Sequence, residues 1–296
     1  MSPSSTSGRD ESRPLPDLRF DPYVQTAVYV VGSRQSRPNM PSQPATTDCP
    51  FCPGGREAPA SYRTHWFVNR WPAFPDDRCE VVLYSPDHAA SLASLGIAGV
   101  NEVIDLWTER TRVLGARDDV AYVLIFENRG AEVGATISHP HGQIYAYDHV
   151  PPRPASMFSQ QWVPTVEEDR AVTENESWTA SVPHAPSYPI ALSIAPKVRT
   201  GSLTDLSDDQ KTDLARLLVD VGSRLDRLYG LPLPYIMWIN QRPTDGSHLD
   251  AWMNIDLVSP WRSAGLVRYI AAAEIGGGEF FNPVIPEDLA LTLRNL

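Results

Sequence analysis

The stretch ATISHPHGQIYAY, residues 135–147, sets His139, His141 and Gln143 at a spacing of two. In an extended chain residues i and i+2 point to the same side, so a strand here would line the three side chains along one face. A neutral imidazole is a nucleophile near pH 7, and its attack on phosphorus gives a phosphoramidate that a second acceptor can discharge. The Gln143 amide could donate to non-bridging oxygens as charge builds on them. On spacing alone, His-x-His fits a core or surface pair just as well, because histidine has many structural roles. The sequence DCPFC supplies a second pair, Cys49 and Cys52. Cys-x-x-Cys lets two thiolates meet one ion as half of a zinc site, and by itself it serves equally as a redox couple. Cys79, alone in DDRCEVV, reads as a small strand-flanking residue without chemistry.

These residues need elements to hold them. TAVYVVG, HWFVNRWPAF and CEVVLYSP read as strands broken by prolines, with a long loop carrying the cysteine pair. GVNEVIDLWTERTRVLGAR has helical apolar spacing and leads into the strand AYVLIFENRG, after which the histidines follow. A second round begins near residue 187: strand YPIALSIAPKV, an amphipathic helix within 203–230 ending at Gly230, and strand LPYIMWINQ. Placing SHLDAWMNI (247–255) under SHPHGQIYA (138–146) aligns Ser and His in both, with Asp250 where the first half has His141. Two copies of one α/β unit are therefore expected, the second without the central histidine.

Composition narrows the function. With 42% hydrophobic and 21% charged residues over 296 positions, the chain fits one large or two ordinary globular cores. Lys+Arg 25 against Asp+Glu 36 gives a net charge of −11, which argues against nucleic acid or anionic lipid as partner. No run approaches the ~20 apolar residues of a membrane span, and the polar N-terminus lacks a signal-peptide core. Three cysteines make no disulfide framework, so the expected compartment is the cytoplasm.

FENRGAEVG (126–134) followed by HPHGQIYA resembles the signature of the galactose-1-phosphate uridylyltransferase family of the histidine triad superfamily, and the likeness runs from about residue 20 to about 275. The resemblance implies that His141 attacks the α-phosphorus of a UDP-sugar and that Gln143 donates to the phosphate. Glutamine stands where histidine triad hydrolases carry a third histidine, which favours transfer over hydrolysis. The resemblance also implies one structural zinc on Cys49, Cys52, His88 of SPDH and His139. It further gives phosphate contacts to Arg34 and Arg37, nucleotide and phosphate contacts to Asn69, Asn128 and Thr136, and sugar contacts to Arg268 and Glu274 within SAGLVRYIAAAEIGGGEFF. For Asn69 and Asn128, capping of turns is the alternative role.

Departures from the family pattern are specific. A second metal, iron or zinc, held in many bacterial members by a glutamate and three histidines, would fall on Met157, on a position near Asn240, and on either Asp250 and Trp252 or Asn254 and Asp256. None of these is histidine, so no iron is expected. Phe280 stands where the family has a sugar-reading glutamine, and a phenyl ring cannot hydrogen-bond a hydroxyl. Arg70 replaces an acidic residue that often touches the ribose.

The expected fold is α+β: two tandem histidine triad-like units with antiparallel-rich sheets and helices packed on them. The expected boundaries are a disordered arm over 1–17, the catalytic and zinc-binding unit over 18–180, and a degenerate, sugar-binding unit over 181–296. The expected activity is ping-pong exchange of UMP between a UDP-hexose and a hexose 1-phosphate through a uridylyl-histidine, in a homodimer whose subunits complete each other's sites. Two alternatives stand beside it. One is a phosphorylase of ADP-sugars or other nucleotide sugars with the same covalent step and inorganic phosphate as acceptor. The other is a noncatalytic nucleotide-binding protein, disfavoured because binding alone does not need His141.

Overall fold

The computed structural model describes residues 17–24, 26–32, 34 and 49–296. The expected arm, apart from Asp17, lies outside the described residues, as does Arg37. In chain order the first half contains β1 (Asp17–Phe20), β2 (Ala27–Val30), β3 (His65–Val68), β4 (Cys79–Leu83), α1 (Gly96–Gly115), β5 (Tyr122–Arg129), β6 (His141–Tyr147) and α2 (Pro152–Ser159). The second half continues with β7 (Ala171–Glu174), β8 (Trp178–Ser181), β9 (Ile190–Pro196), α3 (Asp208–Leu228), β10 (Tyr235–Asn240) and β11 (Asn254–Ser259). The chain closes with β12 (Trp261–Ser263), β13 (Leu266–Val267), α4 (Ala272–Gly277) and α5 (Pro286–Arg294).

Nine strands form one antiparallel sheet in the order β3-β4-β6-β5-β10-β11-β9-β8-β7. The run β3-β4-β6-β5 is repeated outward from the centre as β8-β9-β11-β10, so the internal duplication is real. The two halves nevertheless share a sheet, because β5 and β10 pair directly with Phe126 opposite Trp238. Joined this way, neither strand is left with an open edge.

Alternation along β6 decides which side chains meet the helices. Gly142, Ile144 and Ala146 are buried, whereas His141, Gln143, Tyr145 and Tyr147 are half-buried on the other face. The helix face packs under α1 and α3, which join β4 to β5 and β9 to β10. On α1 the buried residues Val100, Val103, Ile104, Trp107, Thr111 and Leu114 recur at helical spacing. A capping box between Ser207 and Gln210 starts α3, with Asp208 and Asp209 favourably placed in its first turn. Trp107, Ile125, Ile144, Trp178, Ile194 and Leu214 lie in the single large core between the helices and the sheet.

One ion pair sits inside this packing. Arg110 of α1 donates to both carboxylate oxygens of Glu80 on β4, at 2.8 and 2.6 Å, and its guanidinium lies 3.7 Å from the ring centre of Trp66. Removing one partner of such a pair strands the other's charge away from water. Arg110→Met is therefore expected to lower the unfolding free energy by about 3–5 kcal/mol in urea titrations. A loss under about 1 kcal/mol would show that Glu80 finds water or protonates freely.

The register corrects one expectation. A single cross-sheet row runs Val81, Gln143, Phe126, Trp238, Asp256, Ser193. Gln143 and Asp256 thus lie symmetrically about the β5–β10 pair, and His141 corresponds to Asn254. The alignment of 247–255 with 138–146 falls four residues short. His248 and Asp250 precede β11 in a turn, where His248 has φ 51°.

Candidate active site and metal centre

The turn from β5 to β6 delivers His141 to the start of its strand. Gly130 (φ 98°) and Gly134 (φ 84°) take the left-handed backbone that a side chain would resist, and a Cβ on Gly130 would also strike Pro234. Asn128 Nδ2 donates to the Val133 carbonyl at 2.8 Å, tying the turn to β5. Thr136 is half-buried on the segment that follows.

Two hydrogen bonds orient His141 and Gln143. His141 Nδ1 lies 2.7 Å from the His139 carbonyl oxygen, which can only accept, so Nδ1 carries the proton and Nε2 keeps its lone pair. Asn69 Nδ2 donates to Gln143 Oε1 at 3.0 Å, leaving the Gln143 amide nitrogen to be offered as a donor. Asn69 Oδ1 meanwhile accepts from the Trp71 amide at 2.9 Å, so this residue both caps its turn and orients Gln143. Arg34 joins the same face, donating from Nη1 to the Tyr145 hydroxyl at 3.0 Å, two residues beyond Gln143. Arg70 is exposed and lies 3.7 Å from Glu57.

Phe51 and Tyr62 escaped the sequence reading. Phe51 sits inside Cys-x-x-Cys, and its ring meets the His141 ring edge-on with centres 5.1 Å apart and the Phe67 ring at 5.6 Å. That gives the His141 imidazole an apolar wall fit for a flat ligand. The Tyr62 hydroxyl sits among Phe51 O, Ser85 O and His139 Nε2 at 2.7, 2.9 and 2.9 Å. Phe51 was legible from its place between two candidate ligands; Tyr62 carried no local signal.

Cys49, Cys52, His88 and His139 converge, with their ligand atoms all within 4.8 Å of one another. The Cys52 sulfur lies 3.6 Å from Nδ1 of both His88 and His139. His139 Nε2 is 2.8 Å from the Ser85 carbonyl, which turns Nδ1 toward the sulfurs as a ligand needs. Gly55 permits the tight turn, since a Cβ there would strike the carbonyl oxygens of Cys49, Pro50 and Cys52. Burial pushes the Cys52 thiol up to about 11 and His139 down to about 4. The imidazole is thus neutral, and a thiolate needs a cation beside it. This donor set could hold a metal ion.

Arg268 and Glu274 meet each other rather than His141. Glu274 is buried, pairs with Arg268, and accepts from the amides of Ala271 (2.7 Å) and Phe281 (2.9 Å). Arg268 also donates to the Ser187 carbonyl at 3.1 Å, near the start of β9. Strand β11 is three strands from β6, about 15 Å across a sheet at the usual spacing. Phe280 is half exposed beside Ser187 and Asn282.

The second-half counterpart of the His141–Gln143 row is a hydrogen-bonded cluster. Asn240 Nδ2 donates to Asn254 Oδ1 (3.0 Å) and Asp256 Oδ2 (3.1 Å), and Asn254 Nδ2 donates to Asp256 Oδ1 (2.7 Å) and Ser193 Oγ (3.1 Å). It borders a cavity of about 990 Å³ that Met157, Arg153 and Trp238 also line.

Fold and site together define a two-unit histidine triad-type protein, one half with a poised imidazole and the other without it. The chain matches the models of the "Galactose-1-phosphate uridyl transferase, N-terminal domain" over residues 70–151 and of its C-terminal domain over 131–280. The galactose-1-phosphate uridylyltransferase of Thermotoga maritima is 33% identical over 314 residues, covering 94% of this chain and 98% of that protein. A solved uridylyltransferase structure superposes with a TM-score of 0.82 at 27% identity, covering 94% of this chain and 97% of that one. An ADP-glucose phosphorylase of Arabidopsis thaliana is 25% identical, covering 95% and 93%. This chain belongs to the galactose-1-phosphate uridylyltransferase family.

Proposed function

We propose that the protein is a UDP-glucose–hexose-1-phosphate uridylyltransferase working by a ping-pong mechanism on His141. The observation that carries this reading is the 2.7 Å contact from His141 Nδ1 to the His139 carbonyl, which leaves Nε2 as the nucleophile. Nε2 donates its lone pair to the α-phosphorus, the bond from that phosphorus to the bridging oxygen breaks, and hexose 1-phosphate departs with the electron pair. A phosphate oxygen of the second sugar phosphate then attacks the same phosphorus, and the N–P bond breaks to return the imidazole. Gln143, Arg34 and Arg37, with Asn128 and Thr136, would stabilise the charge on the phosphoryl oxygens, the dominant need of a loose transition state. Asn69 acts by turning the Gln143 amide.

Zinc is the metal that suits two thiols and two imidazoles in this arrangement, one ion per chain and no iron. Bound there, it would supply charge to hold the thiolates and fix His139, whose carbonyl in turn orients His141. Arg268 and Glu274, remote from His141 within one chain, fit a sugar site completed in a homodimer. Among the described residues no helix is long and apolar enough to cross a membrane. Reduced thiols suit the cytoplasm.

The acceptor decides between this activity and phosphorolysis. Protein loaded from UDP-glucose is expected to be discharged by galactose 1-phosphate at least ~100-fold faster than by an equal concentration of inorganic phosphate. Equal or faster discharge by phosphate would favour the phosphorylase.

Phe280 leads to a prediction on specificity. A hydroxyl-reading partner normally rejects the epimer by roughly 1–3 kcal/mol, and that partner is replaced here by a phenyl ring. Transfer to glucose 1-phosphate and galactose 1-phosphate is expected to differ less than tenfold in kcat/KM, with Phe280→Gln widening the gap. Strong preference for galactose 1-phosphate, unchanged by Phe280→Gln, would show that the sugar is read elsewhere.

A further inference from the structure

The strand that carries His141 is gripped from its helix side by one residue. Tyr84 donates its backbone N–H to the Pro140 carbonyl at 3.2 Å. Its phenol lies under Gly142, where a Cβ would overlap the hydroxyl oxygen and approach the Phe126 carbonyl to 3.0 Å. Tyr84 thus touches both flanks of His141. It also explains the glycine of HPHGQ: position 142 points to the helix face, and the phenol fills the space that a side chain would take.

Behind the phenol is a carboxyl with no part in the chemistry described above. Glu127, on β5, is buried and accepts from the Tyr235 hydroxyl at 2.9 Å through Oε1. Its carboxyl also faces the buried Tyr84 hydroxyl, and the two side chains hydrogen-bond each other. Burial first and then the Glu127 charge push the Tyr84 phenol up, so the phenol stays protonated as the donor of the pair. Trp107 buttresses Tyr84 edge-on at 5.7 Å. A buried carboxyl held between two phenols fixes the height of Tyr84 beneath the strand that carries His141.

Resting on the reading of His141 as the nucleophile, we infer that Tyr84 and Glu127 are positioning residues that set the height of the Pro140–Gly142 segment and hence the aim of the imidazole. Their effect passes through the strand backbone. An attacking atom must be placed to a fraction of an ångström, and a misplacement of about 1 Å costs around a hundredfold in rate. The Tyr84 hydroxyl and the Glu127 carboxyl are the smallest groups whose removal shifts that placement without emptying the core.

The experiment is single-turnover formation of nucleotidyl protein from UDP-glucose without acceptor, on zinc-loaded Tyr84→Phe, Glu127→Gln, Gly142→Ala and the Gly142→Ala/Tyr84→Phe double variant. Both Tyr84→Phe and Glu127→Gln are expected to form the adduct about tenfold more slowly, with UDP-glucose KM within twofold and with metal content and melting temperature kept. Gly142→Ala is expected to be slower still, and the double variant to recover part of that loss because the overlapping oxygen is gone. Wild-type rates in Tyr84→Phe and Glu127→Gln would overturn the positioning role, as would a slowing that only tracks lost metal or lost folded protein. Absence of adduct in the wild type would instead overturn the nucleophile reading on which the inference rests.

Discussion

His141→Ala is expected to reduce transfer by at least about 10⁴-fold while leaving the fold and the metal in place. The residue is half-buried on the helix-free face of β6, so its removal empties no core. Its Nδ1 bond ends on a backbone carbonyl of the same segment. What the variant would lose, on the proposed mechanism, is the Nε2 lone pair that attacks phosphorus. Arg34 and Gln143 remain, and on the proposed mechanism UDP-glucose should bind with a Kd within about threefold of wild type. Equilibrium binding by calorimetry beside initial-rate assays checks both halves. Turnover at the wild-type rate would mean that another group attacks phosphorus.

The second large effect concerns the metal. Cys49→Ser and His88→Ala are each expected to lower zinc content from about one per chain to well under half, with a fall in unfolding free energy of about 4 kcal/mol. Zinc release follows from breaking a four-donor set in which Cys49 and His139 are almost fully buried. Activity should fall with it, because the His139 carbonyl that orients His141 would lose its anchor. Elemental analysis and thermal melts of the same preparations provide the check. A Cys49→Ser protein that keeps its melting temperature and its transfer rate would rule out a structural metal here.

The alternating pattern of HPHGQIYAY was legible because strand periodicity is local: His141, Gln143 and Tyr145 share a face wherever that strand goes. Helices α1 and α3 were legible for the same reason, through apolar spacing and, for α3, the Ser207–Gln210 box. Pairing was not. Ser-His recurs at 247–248 as at 138–139, yet His248 lies in a turn and β11 begins only at Asn254, a fact written in the ladder between Asn240 and Asn254 and not in the local sequence. The contacts of Asn69 with Gln143 and of Arg34 with Tyr145 span 74 and 111 residues, beyond the reach of any motif. Glu274 shows the opposite limit. Resemblance marked it as a sugar ligand, whereas its bonds to Arg268, Ala271 and Phe281 are visible only once the chain is folded.

The most direct test of His141 as a covalent nucleophile is the intact mass of the protein after mixing with UDP-glucose and no acceptor. Wild-type protein should gain the mass of one uridylyl group per active chain, stable in base, lost in mild acid as a phosphoramidate is, mapped by peptide analysis to His141 and discharged by hexose 1-phosphate. An unmodified wild-type mass under conditions that support exchange, or the same adduct on His141→Ala, would contradict it.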